Sequence, residues 1–264
     1  MTLKLHAAVC VLLPMTMAVA QASPDQSPMK QKVRDAKPGD IRILATGSFL
    51  LPLQAVRNQL EARTGKQVII EYGSARGNLK EMLIGGQPCE VSLLLPDVDQ
   101  ALVKEKKIDA RTFKIAQIPV ALAVKGNPPK LDVLTKEGIK NALLNASIVR
   151  YGPTGAALDT VNKILDTLNI RSSIKDANAL QAPAGTASGL GPDEYEIGIF
   201  PLTEILANDS YRNLGVVIPE FQIPVVIEAG ECLSTTDRAA ADAVIAFLRS
   251  PDMEAALGSN GAQR

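Results

Sequence analysis

The residues of this sequence best placed to hold a ligand are small and mostly uncharged, and they stand where strands hand over to helices. At Thr46-Gly47-Ser48 an apolar run of Ile41, Ile43, Leu44 and Ala45 stops, and a run with Phe49, Leu53, Val56 and Leu60 on one helical face begins. A strand ending at a helix entrance leaves free backbone N–H groups and the positive end of the helix dipole, which together favour an anion; Gly47 and Ser48 are small enough to admit one. Pro52 suits the first helical position, so the helix is expected to start near Leu51 with Ser48 left in the loop. On this stretch alone Ser48 reads first as an ordinary helix cap, because serine is a usual residue there. The junction recurs where QVIIEYG (67–73) runs into Ser74-Ala75-Arg76-Gly77, and where a strand at 148–151 meets Gly152-Pro153-Thr154-Gly155 ahead of a helix. Open α/β sheets bind ligands at such strand ends, so Ser48, Ser74, Arg76, Thr154 and Gly155 are expected to line one cleft. Arg76 would grip a planar carboxylate with two hydrogen bonds, or is simply an exposed arginine at a helix start. Tyr151, at its strand's end, can point into the cleft, and Thr154 makes a good N-cap whether or not it also binds.

What the chain lacks narrows its chemistry further. Its one histidine, His6, lies in the N-terminal segment, so no imidazole is at hand for a triad or a zinc site, and neither cofactor nor metal is expected. No G-x-S-x-G elbow or phosphate loop is present. Lys and Arg balance Asp and Glu at 28 each, which gives nucleic acid no basic field to meet. Aromatic residues make up 3% with no Trp, against 46% hydrophobic overall, a composition suited to an α/β core of Val, Ile, Leu and Ala. At 264 residues the chain suffices for one large domain or two modest ones.

Lys4 followed by an apolar segment at 5–20, ending in Ala18-Val19-Ala20 and Ala20-Gln21-Ala22, reads as a secretory signal over 1–22, cleaved after Ala20 or Ala22. The segment is short for a membrane span and holds Pro14; Cys10 lies inside it, away from any cleavage point. Export to the periplasm, without membrane insertion after cleavage, is the expectation. Cys89 and Cys232 then remain, as a disulfide or as two separate buried thiols.

The elements that must position the junctions follow in order. Residues 23–40 form a polar, flexible lead-in. Strand, helix, strand, helix, strand, helix then fill 41 to about 107, with VSLLLP at 91–96 as a strand covered on both faces and a helix opened by Asp97 or Asp99. A long apolar strand bearing Pro119 is expected at 115–124, then the breakers Gly126-Asn127-Pro128-Pro129. A second α/β unit has helices at about 136–144 and from Ala157 to Leu168, an irregular stretch at 172–194, the strand EIGIF at 196–200 and a short helix begun by Thr203-Glu204. Strands at 216–218 and 224–229, a helix at about 237–248 and a stub after Pro251 close the chain. The expected architecture is an α/β clamshell of two parallel-rich sheets joined by two crossovers, with 41–120 plus 226–264 as lobe 1 and 121–225 as lobe 2.

ATGS at the first strand end, YGSARGNL at the second, QPCEVSLLLP after a glycine pair and EIGIFPLTEI near the end occur in an order that resembles the periplasmic substrate-binding proteins of ABC importers. Within these, the chain is most similar to the molybdate-binding-like branch of the two-lobed (type II) class. The resemblance implies an oxyanion held between lobes by neutral donors, with Ser48 and Ser74 as the two serines, Pro153-Thr154-Gly155-Ala156 as a second-lobe loop and Ala184-Gly185-Thr186 as another. It also implies a tyrosine near Pro201, where this chain has none. The missing phenol and the added Arg76 favour a small organic carboxylate over molybdate.

A monomeric receptor that captures a small anion and passes it to an importer permease is therefore the first expectation. The alternative is an enzyme on the same fold resembling a periplasmic aconitate isomerase, with Arg76, Tyr151 and Glu204 as candidate clamps and base. Enzymatic activity is the less favoured reading, because no residue pattern encodes a reaction. An exported adhesion module, the third class, has no aromatic patch or repeat to support it.

Overall fold

The computed structural model describes residues 35–174 and 190–264; the expected signal at 1–22, the first part of the expected lead-in and Thr186 lie outside the described residues. The first sheet begins with β1 (Ile41–Thr46), and the chain turns once through a 3-10 helix at Gly47–Phe49 into α1 (Leu50–Thr64), whose Leu53, Val56 and Leu60 are buried. Gly65 ends α1 in the left-handed conformation (φ 66°), which glycine adopts without steric cost. β2 (Val68–Gly73) leads through a wide turn at Ala75–Leu79 into α2 (Lys80–Ile84), and β3 (Val91–Leu94) leads into α3 (Pro96–Lys104). Proline at the first position of α3 gives up an N–H that would have had no partner there.

The apolar stretch at 115–124 is two strands in two different sheets. β4 (Phe113–Ile118) stays in the first sheet, and β5 (Val120–Gly126) enters the second. Pro119 has no N–H to give a ladder, so pairing stops there. The second lobe continues with α4 (Lys136–Asn145), capped by the Thr135 hydroxyl on the Gly138 N–H, then β6 (Ile148–Arg150) and α5 (Leu158–Thr167). It finishes with β7 (Tyr195–Pro201), α6 (Leu202–Leu206) and β8 (Arg212–Val216), which ends where the sequence places a strand's start. β9 (Val225–Glu231) returns to the first sheet. α7 (Arg238–Leu248), capped by Asp237, and α8 (Asp252–Ser259) then pack on α1. The expected stub after Pro251 is thus a helix, with Met253 and Leu257 buried.

The first sheet runs β2-β1-β3-β9-β4, parallel among β2, β1 and β3 and antiparallel at both edges of β9. The second runs β6-β7-β5-β8, with β6 and β7 parallel and β5 antiparallel to both neighbours. The chain is a two-lobed α/β protein whose sheets are parallel-rich in part. Between the lobes, the Gln222 side chain acts as a short strand on Val120: its Oε1 accepts from the Val120 N–H at 2.9 Å and its Nε2 donates to the Val120 carbonyl at 3.0 Å.

Each lobe has its own brace. Cys89 and Cys232, flanking β3 and β9, are disulfide-bonded with their Cα atoms 5.7 Å apart. In the second lobe Arg150 grips Glu196 with two prongs, Nε to Oε1 at 2.5 Å and Nη2 to Oε2 at 2.9 Å, and the Tyr211 hydroxyl donates to the same carboxylate. Among the described residues no helix is long and apolar enough to cross a membrane.

Candidate functional site

The junctions singled out in the sequence meet across the cleft in two clusters. The inner one forms at the end of β1. Ser48 is fully buried within the 3-10 turn, and its hydroxyl donates to Glu204 Oε1 at 2.8 Å. From the same short helix of the second lobe, the Thr203 hydroxyl donates to the Ser48 carbonyl at 2.6 Å. Ser48 therefore does not cap α1; no side chain caps either the 3-10 turn or α1. Gly47 lies alongside, where a Cβ would sit 3.7 Å from Glu204 Oε1. Burial between the lobes raises the Glu204 pKa above the usual carboxylate range, and the Ser48 hydrogen bond opposes that rise. Glu204 still keeps some contact with solvent.

The outer cluster joins the end of β2 to the loop after β6. Ser74 Oγ lies 2.6 Å from the Thr154 carbonyl and 2.8 Å from Thr154 Oγ1. With one proton per hydroxyl, Ser74 serves the carbonyl while Thr154 can donate back to it. Thr154 is consequently not the cap of α5, which starts at Leu158 after an uncapped Ala157. Gly77 permits the approach, because a Cβ there would stand 3.1 Å from Thr154 Oγ1 and 3.2 Å from Ser74 Cβ. The Asn78 side chain accepts from the Ser74 N–H at 2.8 Å and occupies the space a Cβ on Gly73 would need.

Arg76 bridges the lobes, and its fork is occupied by protein. Nε donates to Asp97 Oδ2 at 2.8 Å, Nη2 to Asp159 Oδ2 at 2.8 Å and Nη1 to the Gly155 carbonyl at 3.3 Å. Partial burial works against the charge of Arg76, but the hydrogen bonds to Asp97 and Asp159 outweigh it and raise the pKa. These three side chains, with Ala156, Ile223 and Val225, help to line a groove of about 400 Å³ at the mouth of the cleft. Tyr151 is half-buried and packs against the core.

The structure thus brings Gly47 and Ser48 together with Glu204, and Ser74 with Arg76, Thr154 and Gly155. The sequence marks Thr203 and Glu204 only as helix openers, with Glu204 also a candidate base, and does not mark Asp159 at all. Thr203 and Glu204 stand at a strand-to-helix junction like the others, a signal that was available in EIGIFPLTEI; Asp159 inside α5 carried none. The arrangement offers hydroxyl donors from both lobes, one enclosed carboxyl and an internally neutralised guanidinium.

A family model described as bacterial extracellular solute-binding protein matches residues 41–263. The chain is similar in structure to the periplasmic molybdate-binding protein of Azotobacter vinelandii, with 20% identity, a TM-score of 0.65, and 85% of this chain and 99% of that one covered. It is also similar to the sulfate-binding protein of Mycobacterium tuberculosis H37Rv, with 16% identity, a TM-score of 0.64, and 84% and 86% covered. In sequence it is 23% identical over 230 residues to an aconitate isomerase of a Pseudomonas species, over 84% of this chain and 86% of that protein. On the match across both lobes, the chain belongs to the bacterial extracellular solute-binding proteins.

Proposed function

We propose that this protein is a periplasmic receptor that captures a small anion, an oxyanion or a small organic carboxylate, between its lobes for delivery to an importer permease. The observation that carries the reading is the meeting of hydroxyl donors from both lobes at strand ends, Ser74 with Thr154 and Ser48 with the Thr203-Glu204 turn. Neutral dipoles at such junctions stabilise an anion without a counter-charge. A ligand contacting both lobes also links its binding to their closure. The solved relatives named for molybdate and sulfate support an anion as the class. Arg76, matched to Asp97 and Asp159, gives a carboxylate less help than a free guanidinium would, so the preference for carboxylate over molybdate needs a source other than Arg76.

A thermal-shift panel of molybdate, sulfate, phosphate and di- and tricarboxylates tests the reading. A ligand at 100 times its Kd adds about 2.7 kcal/mol to the folded state, readily seen as a rise in Tm. No shift with any of them would overturn the proposal. Ultraviolet absorbance of the protein incubated with cis- or trans-aconitate should stay constant, and a steady change would favour the isomerase instead.

A further inference from the structure

An anion that approaches the Ser48 hydroxyl must share the space with Glu204, to which the single proton of that hydroxyl is already given. Two oxygens within hydrogen-bond reach of one hydroxyl oxygen lie within roughly 6 Å of each other. Ser48 is fully buried and its hydroxyl already serves Glu204 Oε1, so a second charge there is screened less than in bulk water. Two ionised acids at that distance repel strongly, and the pair settles by holding one proton between them. Among the described residues Ser48 is the hydrogen-bond partner of Glu204, and Oε2 takes no part in that bond.

We propose that Glu204 makes this site take its anion together with one shared proton, held between Glu204 Oε2 and a ligand oxygen, and so favours weak-acid anions over strong-acid oxyanions. The inference rests on the receptor reading of the same cleft. A carboxylate or hydrogenphosphate oxygen is basic enough to accept a short hydrogen bond from a carboxylic acid, or carries the proton itself. A sulfate oxygen is a poor partner in both roles. This selectivity does not depend on Arg76.

The proton balance is local to Glu204. α6 packs against the 3-10 turn, α1, β5, β7 and β8. The charged residues of those elements include Arg57 and Glu61 of α1, which pair with each other, Lys125 of β5, Glu196 of β7, which is held by Arg150, and Arg212 of β8. The Glu204 pKa is raised by burial and lowered by the Ser48 hydroxyl.

Titration calorimetry with trans-aconitate, phosphate, sulfate and molybdate, from about pH 6 to 9 and in two buffers of different ionisation enthalpy, tests this on the full chain. The expected wild-type result is proton uptake approaching one per trans-aconitate as the pH rises, with affinity falling up to about tenfold per pH unit. Glu204→Gln should abolish the uptake and flatten the profile, and sulfate should bind wild type more weakly than the weak acids. The trans-aconitate and phosphate arms distinguish an organic from an inorganic weak acid as the preferred ligand. Binding of trans-aconitate, phosphate or molybdate to wild type with no proton uptake and a flat profile would overturn the proposal, as would sulfate binding more tightly than trans-aconitate or phosphate. The wild-type proton count decides even if Glu204→Gln fails to fold. Should none of the four probes bind wild type, the receptor reading itself falls.

Discussion

Two buried acids, Glu196 of the second lobe and Asp99 of the first, are treated in opposite ways. In the second lobe Glu196 is fully buried but meets both prongs of Arg150 and the Tyr211 hydroxyl. In the first lobe Asp99 of α3 is 1% exposed, and neither of its carboxylate oxygens has a hydrogen-bond partner. Burial, with the charges of Glu228 and Asp97 adding to it, pushes Asp99 up to about 8, so at neutral pH it is mostly a neutral acid. A carboxylate survives burial in charged form when its lone pairs are matched, and otherwise keeps its proton. The same residue chemistry therefore makes Glu196 depend on an ion pair and Asp99 on pH.

Breaking the matched pair should have the largest effect. Glu196→Ala leaves Arg150 charged and buried, and should cost about 3–5 kcal/mol in chemical denaturation. An unfolding free energy within 1 kcal/mol of wild type would show that the guanidinium escapes to water. Reduction of Cys89–Cys232 should come next, at about 2–5 kcal/mol, read as a drop in Tm with reductant that Cys89→Ser reproduces without it. This change should fall on the first lobe and leave the Glu196 cluster as it is.

Asp99→Asn sharpens the comparison from the other side. Because the folded-state pKa is raised, the folded protein binds a proton that the unfolded chain releases above about pH 4. Wild-type stability should therefore decline from about pH 4 towards pH 8. Thermal melts across that range should show a shallower decline for Asp99→Asn, and parallel curves would mean that Asp99 finds a partner in solution. The smallest effect belongs to a matched but exposed pair. Arg76→Ala removes contacts to Asp97 and Asp159, whose side chains are 56% and 54% exposed, and should change stability by less than about 1 kcal/mol. Adding salt should shrink even that difference.

Most of the element order was legible because strands and helices here follow hydrophobic period and end at glycine, proline or small polar residues. α1 begins one residue from where Pro52 places it, and α4 is one residue longer than expected at its end. Errors arose where one local signal supports two structures. The apolar residues around Pro119 continue without a break in hydropathy, although the chain changes sheet there, and α8 lacks the long periodic face that marks α7. Candidate site positions were legible as junctions; their partners were not. Ser48 meets a residue 156 positions away and Ser74 one 80 positions away, and no local pattern encodes which hydroxyl, carbonyl or carboxyl the opposite lobe presents. Ser48 and Thr154 look like caps for the same reason, since a cap and a cross-cleft contact require the same residue types at the same junction.

The position of β9 sets an order of assembly. The second sheet is built from a continuous stretch, β5 to β8, whereas β3 has β1 on one side and must wait for β9 on the other. A chain emerging from its N-terminus therefore carries an unpaired β3 edge, with Val91 and Leu93 in it, until the second lobe has been made. Cys89 likewise waits 143 residues for Cys232. A truncation that removes β9 would thus leave the N-terminal strands open to self-association while sparing the sequence of the second sheet.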